Sequence, residues 1–282
     1  MRVHGLPLAA IFAASLSLPA SAQEPVPQND LLNATLWMSN SVEYVANATA
    51  MFQLAKIRLD EALADPNWTA ALEQTGDYQG LPPAVIVDVD ETMLDNDAYE
   101  SWLVTSGNSY SSKTWGPWVE EAAATAIPGA LDFAQYADSK GVKVFYITNR
   151  KADGEEATRK NMEALGFPMG GNVDTFLMQG EQDDWGSAKG TRRAFVAKDY
   201  RVLLNVGDNY GDFSDDAGGS EAERKASLEK NMAHVGHDWI VIANAEYGSF
   251  ESAPFLGDYS KSPDERRQLK IDALPAWSGP PQ

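Results

Sequence analysis

The sequence has no cysteine, only three histidines and, after its first residues, no long apolar run. Without cysteine there can be no disulfide, no thiolate metal ligand, no lipid-modified cysteine and no cysteine nucleophile. We assign no role to His234 and His237, which lie in the C-terminal part of the chain. A chain of 282 residues can still fold on its hydrophobic core alone.

Basic residues are also scarce. Lysine and arginine number 22 against 41 aspartates and glutamates, which gives a formal net charge of −19. Such a surface repels nucleic-acid polymers and anionic membranes, and the sequence shows no basic stripe. A small phosphate ester remains a suitable ligand, provided that the binding site supplies a local positive charge.

The N-terminus has the form of a secretory signal. Met1 and Arg2 give a short positive region, Leu6 to Leu18 an apolar stretch, and Ala20 to Ala22 an A-x-A cleavage site. The apolar stretch is too short to span a bilayer. We therefore expect cleavage after Ala22 and a periplasmic or secreted mature protein without a membrane anchor.

Composition and periodicity predict the order of segments along the chain. The segments are a signal peptide at 1–22, a disordered leader at 23–30, an N-terminal helical part of a cap subdomain at 31–80, a core at 81–255 with a helical insertion at about 97–127, and a C-terminal tail at 256–282. Apolar spacing predicts helix from about Leu31 to Leu72. The tail is expected to be irregular.

Five near-continuous apolar runs predict strands that are covered on both faces. They are Ala84 to Asp90, Lys143 to Arg150, Thr175 to Gly180, Arg201 to Asn209 and Trp239 to Gly248. Helical segments lie between them, and this alternation predicts a parallel sheet with right-handed crossovers. The fold class is therefore α/β, with a doubly wound, Rossmann-like core and a smaller helical cap.

The first run, "AVIVDVDETMLDN", ends in four crowded carboxylates: Asp88, Asp90, Glu91 and Asp95. Like charges repel, and burial makes the crowding more costly, so compensating groups are needed. In a doubly wound sheet the carboxyl ends of the strands meet at one edge, where ligands bind. The other segments bring these polar residues to that edge: Thr148, Asn149, Arg150, Lys189, Asp208 and Asp212.

A carboxylate set without cysteine or histidine is suited to Mg²⁺, with Asp208 and Asp212 as direct or water-mediated anchors. Asp88 can attack phosphorus to form an aspartyl-phosphate. Asp90 can protonate the leaving alcohol and then deprotonate the attacking water. The phosphoryl oxygens would be held by backbone amides, by Thr148 and Asn149 at the end of the second strand, and by Lys189 at the start of a helix.

Four segments resemble, in order, the motifs of the haloacid dehalogenase (HAD) superfamily of phosphatases: "DVDET", "ITNR", "SAKGTRR" and "GDNYGDF". The opening "DVDETMLDN", the insert "TWGPWV" and the later "NAEYGSFE" are similar more narrowly to class C acid phosphatases of the lipoprotein e (P4), 5′-nucleotidase-like group. The resemblance implies a nucleophile at Asp88 and an acid/base at Asp90. It also implies Mg²⁺ held by Asp88, the backbone carbonyl of Asp90, and Asp208.

The resemblance further implies an exported homodimer that cleaves nucleoside 5′-monophosphates and other small phosphomonoesters at acid pH. The absence of cysteine after the signal segment departs from the lipoprotein pattern, so lipid anchoring is not implied. A non-catalytic binding or storage protein on the same fold and a phosphotransferase with the same site remain alternatives.

For four residues the sequence leaves two interpretations open. Trp115, Trp118 and Tyr247 either stack on a substrate base, as the resemblance implies for Tyr247 and one insert tryptophan, or fill the small core beneath the cap. Arg150 either orients the phosphate or pairs with a carboxylate of the insertion.

Overall fold

The computed structural model describes Met1 and residues 28–280; the predicted signal peptide and most of the predicted leader lie outside the described residues. The α-helices, in chain order, are α1 (Leu32–Asn40), α2 (Val42–Ala64), α3 (Asp97–Ser106), α4 (Ser112–Glu121), α5 (Ala130–Ser139), α6 (Glu155–Leu165), α7 (Gly190–Asp199), α8 (Glu221–Lys230), α9 (Ser249–Ser252) and α10 (Pro263–Asp272). The strands are β1 (Pro83–Val87), β2 (Leu94–Asp95), β3 (Thr125–Ala126), β4 (Lys143–Lys151), β5 (Phe176–Gln179), β6 (Arg201–Gly207) and β7 (Trp239–Val241).

A five-stranded sheet in the order β5-β4-β1-β6-β7 forms the centre of the fold. All of its strand pairs are parallel. Consecutive strands are joined through helices, which confirms the predicted α/β class with a parallel sheet. The two-residue strands β2 and β3 form a separate antiparallel ribbon.

Strand β1 lies between β4 and β6 and is buried on both faces. Val85 and Val87 belong to the core cluster that includes residues of α2 and α5. Ala84 and Ile86 belong to the cluster on the opposite face, which includes Val196 of α7. Because both faces are covered, every position of the strand is apolar rather than every second one.

The N-terminal helical region is shorter and more broken than predicted. Ser41 has an extended backbone, and its hydroxyl accepts a hydrogen bond from the Tyr44 N–H at 2.9 Å, so it ends α1 and caps α2. Helix α2 ends at Ala64, before Asp65 and Pro66, because a residue that precedes proline disfavours helical geometry. The helix packs against α5, β6 and β7, so it covers one face of the sheet.

The region predicted as an insertion contains α3, α4 and β3, and β3 pairs with β2 just after the first strand. Helix α3 contacts α1, and α4 contacts α6. The insertion therefore lies beside the segment that follows β1.

Two predictions at the C-terminal end of the chain were wrong. Strand β7 ends at Val241 instead of Gly248, because its partner β6 ends at Gly207, which pairs with Val241. The tail is not irregular throughout, since it contains α10. Ser262 caps that helix in a reciprocal pair with Glu265, and Pro263 occupies the first turn.

Among the described residues, no helix has the length and apolar character needed to cross a membrane.

Candidate active site

The central strands β1 and β6 bring the motif carboxylates together. The Asp88 N–H donates to the Val206 carbonyl at 2.9 Å, so the chain stays in register with β6 as it leaves β1. Asp208 follows β6 directly, and the Thr92 hydroxyl donates to it at 3.1 Å. Carboxylates from two distant segments thus meet at the carboxyl edge of the sheet, as predicted.

Lys189, which precedes α7, lies within this group of carboxylates. Its ammonium contacts Asp88 and donates to Asp212 Oδ1 at 2.7 Å, and the residue is only 5% exposed. Burial opposes the positive charge, but Asp212 and Asp88 together outweigh it and raise the pKa of Lys189. The ammonium is therefore held in its charged form beside the candidate nucleophile.

Oxygen atoms of Asp88, Asp208 and Asp212 lie within 4.8 Å of one another. Burial, together with the neighbouring carboxylates, raises the pKa of Asp88 well above its ordinary value and that of Asp208 to about 7. Three carboxylates and one ammonium leave a formal charge of −2, which a divalent cation would neutralise. The all-oxygen donor set fits a hard divalent ion.

Asp212 is held by the loop after β6. Its Oδ2 accepts the Asn209 N–H at 2.9 Å, while Asn209 in turn caps the short 3₁₀ turn that contains Asp212. Gly207 makes this approach possible, because a Cβ there would lie 2.3 Å from Asp212 Oδ2. The predicted anchor of the metal site therefore depends on a position without a side chain.

Arg150 pairs with a carboxylate of the first motif, Asp90, and not with one of the insertion; its contact with phosphate remains a prediction. Its guanidinium binds Asp90, with Nη2 at 2.7 Å and Nε at 2.9 Å from Oδ1, and only 3% of the residue is exposed. Asn96 also donates to this oxygen, at 2.9 Å. The side chain of Asp90 is thus turned towards Arg150, while Asp88 is turned towards Lys189.

Thr148 and Asn149 lie at the end of β4, close to the loop before α7. Thr148 is fully buried, and its hydroxyl accepts the Arg150 N–H at 3.0 Å, which leaves the hydroxyl hydrogen free to donate. The Asn149 amide donates to the Ser187 carbonyl at 3.0 Å and accepts from Arg192 at 2.7 Å. These bonds tie the loop that carries Lys189 to β4, and the phosphate contacts of both residues remain predictions.

Aromatic side chains of the insertion cluster above Arg150. Trp115 lies with its ring 5.6 Å from the guanidinium and packs edge-on against Tyr99 at 5.1 Å. Trp118 stacks on Tyr99 at 6.5 Å, and Tyr110 packs against Trp115 at 6.1 Å. Tyr247 lies in the loop after β7, where its N–H donates to Asn244 at 3.4 Å. Substrate contacts for Trp115, Trp118 and Tyr247 remain predictions.

Residues 8–250 match the family model described as HAD superfamily, subfamily IIIB (Acid phosphatase). The chain belongs to this family. Two solved structures of the class C acid phosphatase from Bacillus anthracis, one of them with tungstate bound, are 32% identical to it and cover 88% of this chain and 97% of theirs. Their TM-scores are 0.77 and 0.76.

Acid phosphatase 1 from Solanum lycopersicum is also similar to this acid phosphatase. It is 29% identical over 155 residues, which cover 53% of this chain and 58% of the tomato protein. The match therefore spans little more than half of the tomato protein's length. Members of the HAD superfamily generally use a divalent metal, and a cluster of acidic residues that could hold one is present in this chain.

Two asparagines that shape the site of this acid phosphatase were not predicted from the sequence. Asn96 and Asn244 each donate to one of the motif carboxylates, Asp90 at 2.9 Å and Asp208 at 2.8 Å. Glu91, at a positive φ of 53°, accepts both the backbone N–H and the amide of Asn96. The signal available for Asn96 was its place at the end of the acidic "DETMLDN" segment; a lone Asn244 gave none.

Proposed function

We propose that this acid phosphatase is an exported, Mg²⁺-dependent enzyme that hydrolyses small phosphomonoesters, above all nucleoside 5′-monophosphates, through an aspartyl-phosphate at Asp88. The contact of one buried lysine, Lys189, with both Asp88 and Asp212 at the sheet edge carries this proposal. It supplies the local positive charge that a strongly acidic protein needs to bind a phosphate ester.

In the first step, an Asp88 oxygen attacks phosphorus and the bond to the leaving alcohol breaks, with Asp90 giving the leaving oxygen a proton. In the second step, Asp90 takes a proton from water as that water attacks phosphorus and releases Asp88. Lys189 and Thr148 hold phosphoryl oxygens throughout, with Asn149 as a further predicted contact.

Mg²⁺ would be held by Asp88, Asp208 and the backbone carbonyl of Asp90, with Asp212 behind them. When bound, it supplies positive charge that offsets the carboxylates and draws the phosphoryl group to Asp88. The oxygen-only donor set of the acidic cluster supports this choice of metal.

The aromatic cluster of the insertion supports a substrate with a planar base, because such a base can pack against tryptophan or tyrosine rings. Trp115 and Tyr110 lie on the Arg150 side of the site. A homodimer is supported by exposed apolar residues on the first two helices, namely Leu32, Leu36, Val42 and Val45. Size-exclusion chromatography with light scattering tests the dimer.

The decisive experiment measures phosphate release from AMP and from p-nitrophenyl phosphate at about pH 5.5. Wild type is compared with Asp88→Asn, with Mg²⁺ or with EDTA, and the exposed Asp138→Asn serves as the control. We expect turnover that is lost with EDTA and in Asp88→Asn but kept in Asp138→Asn. Acid-quenched samples should yield a phosphorylated peptide that contains Asp88.

Other outcomes have definite meanings. A folded wild type that turns over neither ester would favour a binding protein, and activity in Asp88→Asn would reject the nucleophile. Phosphate transfer to an added alcohol, in preference to water, would favour a phosphotransferase. Fractionation of the host cells, with N-terminal sequencing that begins at Gln23, tests export.

A further inference from the structure

The two carboxylate oxygens of Asp90 have very different surroundings. Oδ1 receives three donors: Arg150 Nη2 at 2.7 Å, Arg150 Nε at 2.9 Å and Asn96 Nδ2 at 2.9 Å. Within the described part of the chain, Oδ2 receives only a longer bond from Arg150 Nε, at 3.2 Å. Oδ1 is therefore saturated with donors, and Oδ2 is the oxygen that can carry a proton.

The orientation of the Asn96 amide is fixed by its neighbours. Its oxygen accepts from Trp118 Nε1 at 2.8 Å and from Arg150 Nη2 at 3.3 Å. An indole N–H and a guanidinium can only donate, so the amide oxygen must face them. The amide nitrogen is thereby directed to Asp90 and, at 2.8 Å, to Glu91.

Burial makes this arrangement rigid. Asn96 is completely buried, Arg150 is 3% exposed, and Arg150 Nη1 also donates to the Thr158 hydroxyl of α6 at 3.1 Å. Trp118 belongs to α4 of the insertion, whereas Arg150 belongs to β4. The network thus connects the insertion to the loop that carries Asp90.

We propose that Arg150, Asn96 and Trp118 are positioning residues that hold Asp90 by Oδ1 and so make Oδ2 the atom that transfers the proton. This inference rests on the proposed function and adds to it the atom and the residues that orient it. As the Asp88–phosphorus bond forms, the leaving oxygen keeps the electron pair of its broken bond to phosphorus and takes the Oδ2 proton. Water later returns a proton to Oδ2 as its oxygen bonds to phosphorus and the Asp88–phosphorus bond breaks.

The role of Trp118 in this network differs from stacking on a substrate base. Substrates with different leaving groups distinguish the two roles. An alkyl ester releases a strongly basic alkoxide, which needs the proton, whereas p-nitrophenolate leaves readily without it. Poor positioning of Asp90 should therefore slow alkyl esters selectively. Loss of a stacking contact should instead affect only substrates that carry a base.

The test measures kcat/KM for p-nitrophenyl phosphate, glycerol 3-phosphate and AMP. Trp118→Phe keeps an aromatic ring and removes the N–H that binds Asn96. We expect kcat/KM to fall about tenfold on both alkyl esters and to stay within about twofold on the aryl ester. Arg150→Met should lose about 100-fold on alkyl esters, and Arg150→Lys should recover part of that loss.

Trp102→Phe is the matched control, because Trp102 is 40% exposed on α3 and its indole nitrogen has no hydrogen bond to the described residues. It should leave the ratio of aryl to alkyl activity unchanged. Asp90→Asn provides the reference, with the largest selective loss on alkyl esters.

Equal losses on aryl and alkyl esters in the Trp118 and Arg150 variants would overturn the inference, since a merely structural role affects both. A loss confined to AMP in Trp118→Phe would also overturn it and assign Trp118 to the base. A wild type without turnover would reject the proposed function itself. If Asp90→Asn loses activity selectively on alkyl esters but the Trp118 and Arg150 variants do not, the positioning inference alone is rejected.

Discussion

Lys189 donates to a carboxylate oxygen of Asp212 at 2.7 Å, and the same ammonium contacts Asp88. The three residues come from separate segments, and none is more than slightly exposed in its side chain. The positive charge of the lysine therefore offsets the repulsion between these carboxylates and allows them to lie close together.

Replacement of Lys189 by methionine should lower kcat on p-nitrophenyl phosphate by about 100-fold, because the phosphoryl oxygens lose a preorganised positive charge. The measurement is steady-state kinetics at saturating Mg²⁺. Lys198→Met, at an exposed position of α7, should keep wild-type activity. Full activity of a folded Lys189→Met would contradict the assigned role.

Gly207→Ala should weaken binding of the proposed Mg²⁺. The added Cβ would come within 2.3 Å of Asp212 Oδ2, so the carboxylate must move away from the cluster. The Mg²⁺ concentration for half-maximal activity should rise about tenfold, as for a lost supporting contact. Gly211→Ala in the same loop is the control, since its Cβ would meet nothing closer than 3.8 Å. Equal metal titrations for both variants would show that Asp212 does not support the metal.

Arg193→Met should destabilise the fold by about 3 kcal/mol. The guanidinium is completely buried and binds Glu73 at 2.7 Å and Asp215 at 3.0 Å, so its loss leaves both carboxylates without their shared partner. Urea unfolding measures the effect. Lys225→Met removes an exposed ion pair with an N–O distance of 3.7 Å and should cost less than about 0.5 kcal/mol. Similar midpoints for both variants would refute the prediction.

Glu246 should make the protein less stable as pH rises. Burial, with Asp97 and Glu100 nearby, raises its pKa to about 8. Between its ordinary pKa, about 4.3, and about 8, the folded state holds a proton that the unfolded state has lost, so stability falls through this window. The slope for one group is at most about 1.4 kcal/mol per pH unit.

Glu246→Gln removes this titration, so the variant should gain stability over wild type from pH 5 to pH 8, as measured by urea unfolding at each pH. Exposed Glu229→Gln is the control and should follow wild type. A constant difference between Glu246→Gln and wild type across this range would show that Glu246 titrates normally in the folded state.

The sequence was sufficient to predict the sheet and the residues that meet at its carboxyl edge. Strands such as β1 are buried on both faces, and this produces unbroken apolar runs that are easy to recognise. Asp88 and Asp208 follow such runs, so the parallel arrangement alone predicts that they meet. The Ser-Pro-x-Glu sequence at the start of α10 is also a helix signal, and it contradicts the prediction of an irregular tail.

Polar contacts between distant segments could not be predicted from the sequence. Asn96 and Trp118 are 22 residues apart, and Glu73 and Arg193 are 120 apart. Taken alone, Asn96, Glu73 and Arg193 are typical of a solvated surface, and Trp118 is typical of a small core. Their pairing depends on the path of the insertion and of the loop before β1, which apolar periodicity does not encode. The length of β7 could not be predicted either, because it depends on where the neighbouring strand β6 ends.

The place of β1 between β4 and β6 has a consequence for how the enzyme matures. Lys189 lies 101 residues after Asp88, and Asp208 lies 116 residues after Thr92. The carboxylates and the lysine of the site therefore come together only once both flanking strands have docked against β1. A chain that is still emerging from the ribosome holds its acidic motif apart from its lysine. Phosphatase activity should therefore appear late in folding, together with protection of the β1 amides from hydrogen exchange, and not before.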